Sequence, residues 1–126
     1  MKSKEYIEKA LRTEATDHYD NFFSKKKVDP RIEHAMYGLV TEAGEVMDQL
    51  KRSKVYNQPF DKVNIIEEMG DMMWYMAILC DAVGVSFEEL WDRNIEKLRV
   101  RYPEKYSDVK AIKRDLSKER EILEKK

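Results

Sequence analysis

The sequence contains few of the residues that interrupt helices or cross-link a chain. Its 126 residues include one cysteine, three prolines and four glycines. The single thiol, Cys80, excludes an internal disulfide and fits a reducing cytoplasm. Because glycine and proline are scarce and no segment alternates polar and apolar residues, helices should form most of the chain. We therefore predict an all-α fold, an antiparallel helical bundle.

Neither charge sign dominates. The chain carries 24 lysines and arginines against 25 acids, a formal net charge of -1. No basic surface for nucleic acid is indicated. The longest apolar run, residues 72–80, is shorter than the ~20 residues that span a bilayer, and no apolar stretch follows the N-terminal lysines. We expect a cytoplasmic protein without membrane contact, folded as a single domain over residues 1–126.

Two pairs of acids at helical spacing are the most informative feature of the chain. Glu42 and Glu45 form one pair, and Glu68 and Asp71 form the other. Acids three residues apart project from one side of a helix. The second pair precedes the run at 72–80, which is apolar on every side and should be enclosed. Acids beside an enclosed segment are protonated, paired or bound to a cation. Oxygen ligands favour Mg²⁺ or Mn²⁺, although such acids also occur on solvated helix faces.

Capping signals place these acids on two long helices. Asp29 and Pro30 indicate the start of the first, expected to run to about Arg52. Asp61 indicates the cap of the second, ending at Gly84. Helices joined by a short connection pack antiparallel, so the acid pairs should face each other. The apolar stripe of the first helix comprises Ile32, Ala35, Met36, Leu39, Ala43, Val46, Met47 and Leu50.

Other signals define the remaining helices. Ser3 is the expected cap of an N-terminal helix, and residues 17–28 read as a broken helix or a loop. Ser86 and Glu89 have the spacing of a capping box, and that helix should stop before Pro103. A final helix is expected over about 109–124.

Polar residues outside the acid pairs have two interpretations. Asn94, Lys97 and Arg101 share one side of their helix, either as a solvated stripe or as a basic ladder suited to a polyphosphate. His34 is expected to point away from the apolar stripe. The lysines at 25–27 favour a solvated turn over a phosphate contact.

Three ordered motifs resemble one family. The segment at 38–45, GLVTEAGE, matches G-L-x-x-E-x-G-E, and EEMGDMMWY at 67–75 matches E-E-x-G-D-x-x-W-Y. NIEKLRVRYP at 94–103 matches N-x-x-K-L-x-x-R-Y-P. Over about residues 30–105 the chain resembles the MazG-like all-α nucleoside triphosphate pyrophosphohydrolases.

The resemblance implies a reaction and residue roles. Family members hydrolyse NTPs or dNTPs to the monophosphate and pyrophosphate with Mg²⁺ and usually form homodimers or dimers of dimers; Mn²⁺ is the alternative ion. The implied metal ligands are Glu42, Glu45, Glu68 and Asp71, with Glu45 as the first candidate for the general base. The implied substrate contacts are Tyr75, Asn94, Lys97, Arg101 and one basic residue ending the first long helix, for which we name Lys54.

Self-association is also expected on physical grounds. A helix apolar on every side, in a small bundle, has more surface to bury than one layer of neighbours covers. We expect Trp74, Met76 and Ile78 to form the subunit interface.

Three rival interpretations stay open. A related all-α enzyme, of the phosphoribosyl-ATP pyrophosphatase or dimeric dUTPase type, shares the acids but acts on another substrate. A di-iron bundle needs E-x-x-H pairs, which neither His18 nor His34 completes. A non-enzymatic helical interaction module would carry the acids as surface charge only, and divalent ions would not stabilise it.

Overall fold

The computed structural model describes residues 1–21 and 28–125, except for the side chains of residues 18, 20 and 21. The described residues contain helices and no strand, which confirms the all-α prediction. A 3₁₀ helix at Thr16–Asn21 accompanies six α-helices: α1 Ser3–Leu11, α2 Pro30–Tyr56, α3 Lys62–Val83, α4 Phe87–Arg101, α5 Asp108–Ile112 and α6 Leu116–Glu124. The interpretation of residues 25–27 as a solvated turn lies outside the described residues.

The chain divides into two compact units, Met1–Gly84 and Val85–Lys126. In the first unit, α2 and α3 pack along each other as a hairpin, α1 packs on α3, and the 3₁₀ helix packs on α2. In the second unit, α4 packs on α6. The single domain over 1–126 stays a prediction. No helix among the described residues has the length and apolar character needed to cross a membrane.

The caps of α2 and α3 lie where the sequence indicates. The Asp29 side chain accepts from the Arg31 backbone N–H at 2.9 Å, and the Asp61 side chain accepts from the first turn of α3. α3 ends at Gly84, which has a φ of 74°. The predicted end of α2 at Arg52 is wrong, because the helix continues to Tyr56 and stops only where Asn57 adopts a left-handed φ of 52°.

α1 corrects two further expectations. Ser3 is a buried residue inside the helix, and Lys2 precedes it as the cap position. The indole N–H of Trp74 donates to the Ala10 carbonyl at 3.1 Å and to the Thr13 hydroxyl at 2.8 Å. Ile78 is fully buried within the chain itself. Ile78 is therefore not available for the predicted subunit interface. Trp74 and Met76 stay half-buried in the single chain, and their place in an interface stays a prediction.

The 3₁₀ helix and α2 share a polar network. Glu14 accepts from the Arg31 guanidinium at 2.7 and 2.9 Å and also from the Tyr19 hydroxyl. The His34 ring packs edge-on against Tyr19 and, at 5.8 Å between ring centroids, against Tyr75. His34, which the sequence places away from the apolar stripe, is thus half-buried between aromatic side chains of two other elements.

The second unit begins with the predicted capping box. The Ser86 hydroxyl accepts from the Glu89 backbone, and the Glu89 carboxylate accepts from the Ser86 backbone. α4 ends at Arg101, before Pro103, as predicted. The single helix predicted over about 109–124 is wrong. It is two helices, because Asp115 starts α6 by accepting from the Lys118 N–H at 3.1 Å.

Candidate active site

Three acids from two helices meet in the hairpin of the first unit. Glu42 comes from α2, and Glu68 and Asp71 come from α3. Each offers a carboxylate oxygen, and these oxygens lie within 4.8 Å of one another. The three-residue spacing on α3 turns both of its acids to one side, and the antiparallel hairpin brings α2 alongside.

The three acids differ in burial. Glu68 is 4% exposed, Glu42 is half-buried and Asp71 is exposed, so the cluster extends from the interior to the solvent. The Asn64 side-chain amide donates to Oε1 of Glu68 at 2.8 Å. Among the residues that the structure describes, no lysine or arginine forms an ion pair with these three carboxylates.

Crowding of negative charge changes the acidity of the α2 acids. Burial raises the pKa of Glu42, and so do a hydrogen bond shared with Glu68 and the charges of Glu45, Asp71 and Glu68. The pKa of Glu45 is raised chiefly by the charge of Glu68. Glu45 is exposed and is not one of the three acids that converge, but it lies within their electrostatic field. Both shifts show a site with excess negative charge.

The cluster fits a hard divalent cation. Its ligands are carboxylate oxygens only, the donor type that Mg²⁺ and Mn²⁺ prefer over softer metals. A cation would also supply the positive charge that the described side chains do not. Glu42, Glu68 and Asp71 are the residues that would hold it, with Glu45 beside them.

The region that contains these acids matches a known family. The model of the MazG nucleotide pyrophosphohydrolase domain matches residues 31–106, more than half of the chain and all four acids. The chain belongs to the MazG family.

Two relatives resemble this MazG chain over part of its length. It is 32% identical over 75 residues to the Gene 37 protein of Mycobacterium phage L5, covering 56% of this chain and 65% of that protein. It is 34% identical over 73 residues to the uncharacterized protein YvdC of Bacillus subtilis strain 168, covering 51% and 69%. This chain thus spans somewhat less than two thirds of the phage relative. No solved structure matches significantly.

Tyr75 lies beside the MazG acids and is also packed. A Cβ on Gly38 would meet the hydroxyl end of the Tyr75 ring at 2.1 Å, so only glycine permits this approach of α3 to α2. The ring contacts Trp74 edge-on at 4.9 Å between ring centroids. Burial raises the pKa of Tyr75, as do the charges of Glu42 and Asp71.

The expected substrate contacts are distributed over both units. Lys54 is exposed near the end of α2, about 18 Å along the helix axis from Glu42, so the structure does not bring it to the acids. Asn94, Lys97 and Arg101 lie on α4, in the second unit. The Arg101 guanidinium binds the buried Glu119 carboxylate with two hydrogen bonds of 2.9 and 2.7 Å.

Two neighbours of the acids were absent from the sequence-based site. Asn64 stands four residues before Glu68, and this spacing alone places both on one side of α3. Tyr6 of α1 lies near Asp71. Burial is the main cause that raises the pKa of Tyr6, and the negative charge of Asp71 raises it further. No pattern in the sequence indicates that α1 packs at this position.

Proposed function

We propose that this MazG chain is a Mg²⁺-dependent nucleoside triphosphate pyrophosphohydrolase that converts NTPs or dNTPs to the monophosphate and pyrophosphate. The convergence of Glu42, Glu68 and Asp71 within the region matched by the family carries the proposal. A triphosphate is repelled by acids unless a cation lies between them. Mn²⁺ is the alternative ion. We also propose a cytoplasmic location, supported by the single, buried Cys80.

The reaction breaks one phosphoanhydride P–O bond and forms one P–O bond to the oxygen of water. Pyrophosphate leaves with the bonding electron pair, and the proton of the water passes to a base. A bound divalent cation would neutralise phosphate charge and acidify the attacking water. Glu45 is the proposed base. It is exposed beside the three converging acids, and its raised pKa makes it a better proton acceptor than an ordinary surface glutamate.

The substrate contacts in this proposal come from the family motifs. Tyr75, beside the acids, would contact the nucleobase, and Asn94 would contact sugar or phosphate. Lys97 is half-buried on α4, and no ion-pair partner for it occurs among the residues described. Arg101 would contact phosphate as the family motif implies, although Nε and Nη2 of its guanidinium already bind the Glu119 carboxylate. Lys54 lies too far from the acids along α2 for its side chain to reach phosphates bound there, so within this proposal it would contact the phosphates from a second subunit.

We further propose self-association as a homodimer or a dimer of dimers. Exposed apolar side chains recur along α2 at alternating steps of four and three residues, which is the spacing of a helix-pairing seam. This α2 seam consists of Met36, Val40, Ala43, Met47 and Leu50. Val40 and Met47 are 67% and 64% exposed in the single chain. A second copy of α2 is the partner whose surface matches this spacing.

Pyrophosphate release tests the proposed activity. The purified chain is assayed with Mg²⁺ and a panel of NTPs and dNTPs that includes dUTP, together with phosphoribosyl-ATP. We expect turnover of one or more NTPs or dNTPs and its loss in Glu68→Gln. The matched control is Glu67→Gln, because Glu67 precedes Glu68 but is exposed and outside the cluster.

The outcomes separate the rival functions. Turnover confined to dUTP or to phosphoribosyl-ATP would assign the chain to one of the related enzyme types. Absence of turnover in folded protein saturated with Mg²⁺ or Mn²⁺ would overturn the enzyme proposal and favour an interaction module. Equal loss in the Glu67 and Glu68 variants would show that net charge, and not the cluster, matters.

A further inference from the structure

Among the described residues, the Asn64 side chain makes one hydrogen bond, and its partner is the most buried acid of the cluster. Its amide Nδ2 donates to Oε1 of Glu68 at 2.8 Å. An ionised carboxylate only accepts hydrogen bonds, so the amide must present its nitrogen and not its oxygen. The orientation of Asn64 is thus set by Glu68.

This orientation leaves the amide oxygen without a donor. Oδ1 of Asn64 is buried and has no hydrogen-bond partner among the residues that the structure describes. Burying an unsatisfied carbonyl oxygen is unfavourable, whereas leucine of similar size at the same place would avoid that cost. The orphaned oxygen is thus a cost that accompanies the hydrogen bond from Asn64 to Glu68.

The bond from Asn64 to Glu68 also does not join separate parts of the fold. Both residues lie on α3, four positions apart. The start of α3 is already capped by Asp61, which accepts from the backbone of Val63 and Asn64. Removing the Asn64 side chain leaves this cap in place.

We propose that Asn64 is a positioning residue for the cation site. Its amide fixes the rotamer and plane of the Glu68 carboxylate relative to Glu42 and Asp71 before a cation arrives. The rotational freedom that Glu68 would otherwise lose on binding is already lost in the free protein. This inference rests on the proposed function, since it requires a cation at the acid cluster.

Mn²⁺ titration by calorimetry, combined with thermal melting in EDTA, tests the proposal on the full chain. We expect N64L to bind Mn²⁺ roughly 10- to 100-fold more weakly than the wild type. Its melting temperature in EDTA should stay close to that of the wild type, because removal of the orphaned oxygen offsets the lost hydrogen bond to Glu68. A purely structural role predicts the reverse pattern, with lower stability and unchanged affinity.

Further variants keep the test decisive. N64A removes the same donor without adding bulk and replaces N64L if that variant does not fold. N64Q retains an amide donor and should recover part of the affinity. E67Q should bind as the wild type does, and E68Q should bind much more weakly.

Two failures are distinguishable. If the wild type binds Mn²⁺ and both N64L and N64A bind it within twofold of the wild type, the positioning role is overturned and the proposed function stands. If the folded wild type binds neither Mn²⁺ nor Mg²⁺, the cation site itself is overturned, and the positioning role falls with it.

Discussion

Glu68 is a carboxylate held at 4% exposure beside two other acids. Negative charges this close repel one another. Because Glu68 is buried, little water is available to hydrate its carboxylate and offset this repulsion. The cation-free protein should therefore carry strain at this residue. Its presence is understandable where the charge serves binding and not stability, because an apolar residue would pack there at lower cost.

The first prediction concerns neutralising this residue. Glu68→Gln should raise the melting temperature in EDTA by a few degrees, since one of the repelling charges is removed. Mg²⁺ or Mn²⁺ should stabilise the wild type by mass action but leave this variant unchanged. Thermal melts with EDTA and with millimolar metal measure both effects.

Glu67→Gln supplies the control, because it removes one negative charge outside the converging cluster. That variant should keep the stabilisation by metal. If divalent ions stabilise the Glu68 variant as strongly as the wild type, Glu68 is not a ligand.

The second prediction concerns Gly38. A methyl group there would lie 2.1 Å from ring atoms of Tyr75, so the ring or the helix must move. Overpacking of this kind typically costs about 1–3 kcal/mol, and we expect Gly38→Ala to lower the free energy of unfolding by that amount. Urea denaturation measures it.

Gly44 and Gly70 provide matched controls for Gly38. Both lie inside helices, and a Cβ at either position meets nothing within 4 Å. Alanine should therefore stabilise each by roughly 0.5–1 kcal/mol through helix propensity. If alanine changed the free energy of unfolding in the same direction at all three positions, the contact between Tyr75 and Gly38 would not determine the effect at Gly38.

For single residues, the sequence predicts the degree of burial better than it predicts which residues are in contact. At about 100° per residue, Glu42 falls at the edge of the apolar stripe and Glu45 further out, which agrees with one half-buried and one exposed residue. His34 could not be placed in this way. Its environment is set partly by the 3₁₀ helix, whose packing on α2 has no local signal.

Among the secondary-structure elements, α6 shows how one residue can hold a helix in place. Glu119 is buried and accepts from the Arg101 guanidinium of α4 and the Arg114 guanidinium between α5 and α6. These hydrogen bonds, with Arg101 contributing most, hold the pKa of Glu119 far below its usual range. The contact ties α6 to α4 with charge-assisted bonds.

The third prediction is acid sensitivity of the α4–α6 packing. Because the folded pKa of Glu119 is depressed, its contribution to stability is present above the unfolded pKa of about 4.3 and declines as the pH falls below it. Glu119→Gln should lower the melting temperature by several degrees at pH 7 and reduce the further loss toward pH 3. Hydrogen exchange of the α6 amides locates the effect.

The exposed Glu121, two residues along α6, is the control for Glu119. Its change to glutamine should alter neither the melting temperature at pH 7 nor the acid sensitivity. A similar response of both variants would attribute the effect to net charge.

Helix ends were predictable where one side chain decides them. Asp29, Asp61 and Ser86 are strong caps, and each starts a helix as predicted. The break between α5 and α6 was missed. There Asp115 caps a helix within a segment of many charges and no glycine or proline, so the periodic pattern continues across the break.

At the scale of the whole molecule, the apolar stripe predicted for α2 divides into a part that is covered within the chain and a part that is exposed. Ala35 is buried and Ile32, Leu39 and Val46 are half-buried. The other stripe residues stay exposed, namely Met36, Ala43, Met47 and Leu50. An apolar stripe in a sequence predicts a covered face, but it does not predict whether the same chain or a second copy covers it. This is also why Ile78, which is fully buried within the chain, was assigned to a subunit interface.

The fourth prediction tests the α2 seam. The wild type should be a dimer or larger by light scattering at micromolar concentration. The double variant Val40→Gln with Met47→Gln should raise the dissociation constant at least about 100-fold, because four large side chains per dimer lose their burial. Val109→Gln with Ile112→Gln, at the exposed apolar residues of α5, should leave the assembly intact.

The same seam variant shows what assembly contributes to the site. Glu42, Glu68 and Asp71 all come from one chain, so a monomer already contains the cluster. We therefore expect the monomeric variant to keep a Mn²⁺ affinity close to that of the wild type. If binding were lost on dissociation while the helical content stayed constant, a second subunit would have to supply a ligand. A monomeric wild type would instead remove the seam as an interface and leave its exposed side chains unexplained.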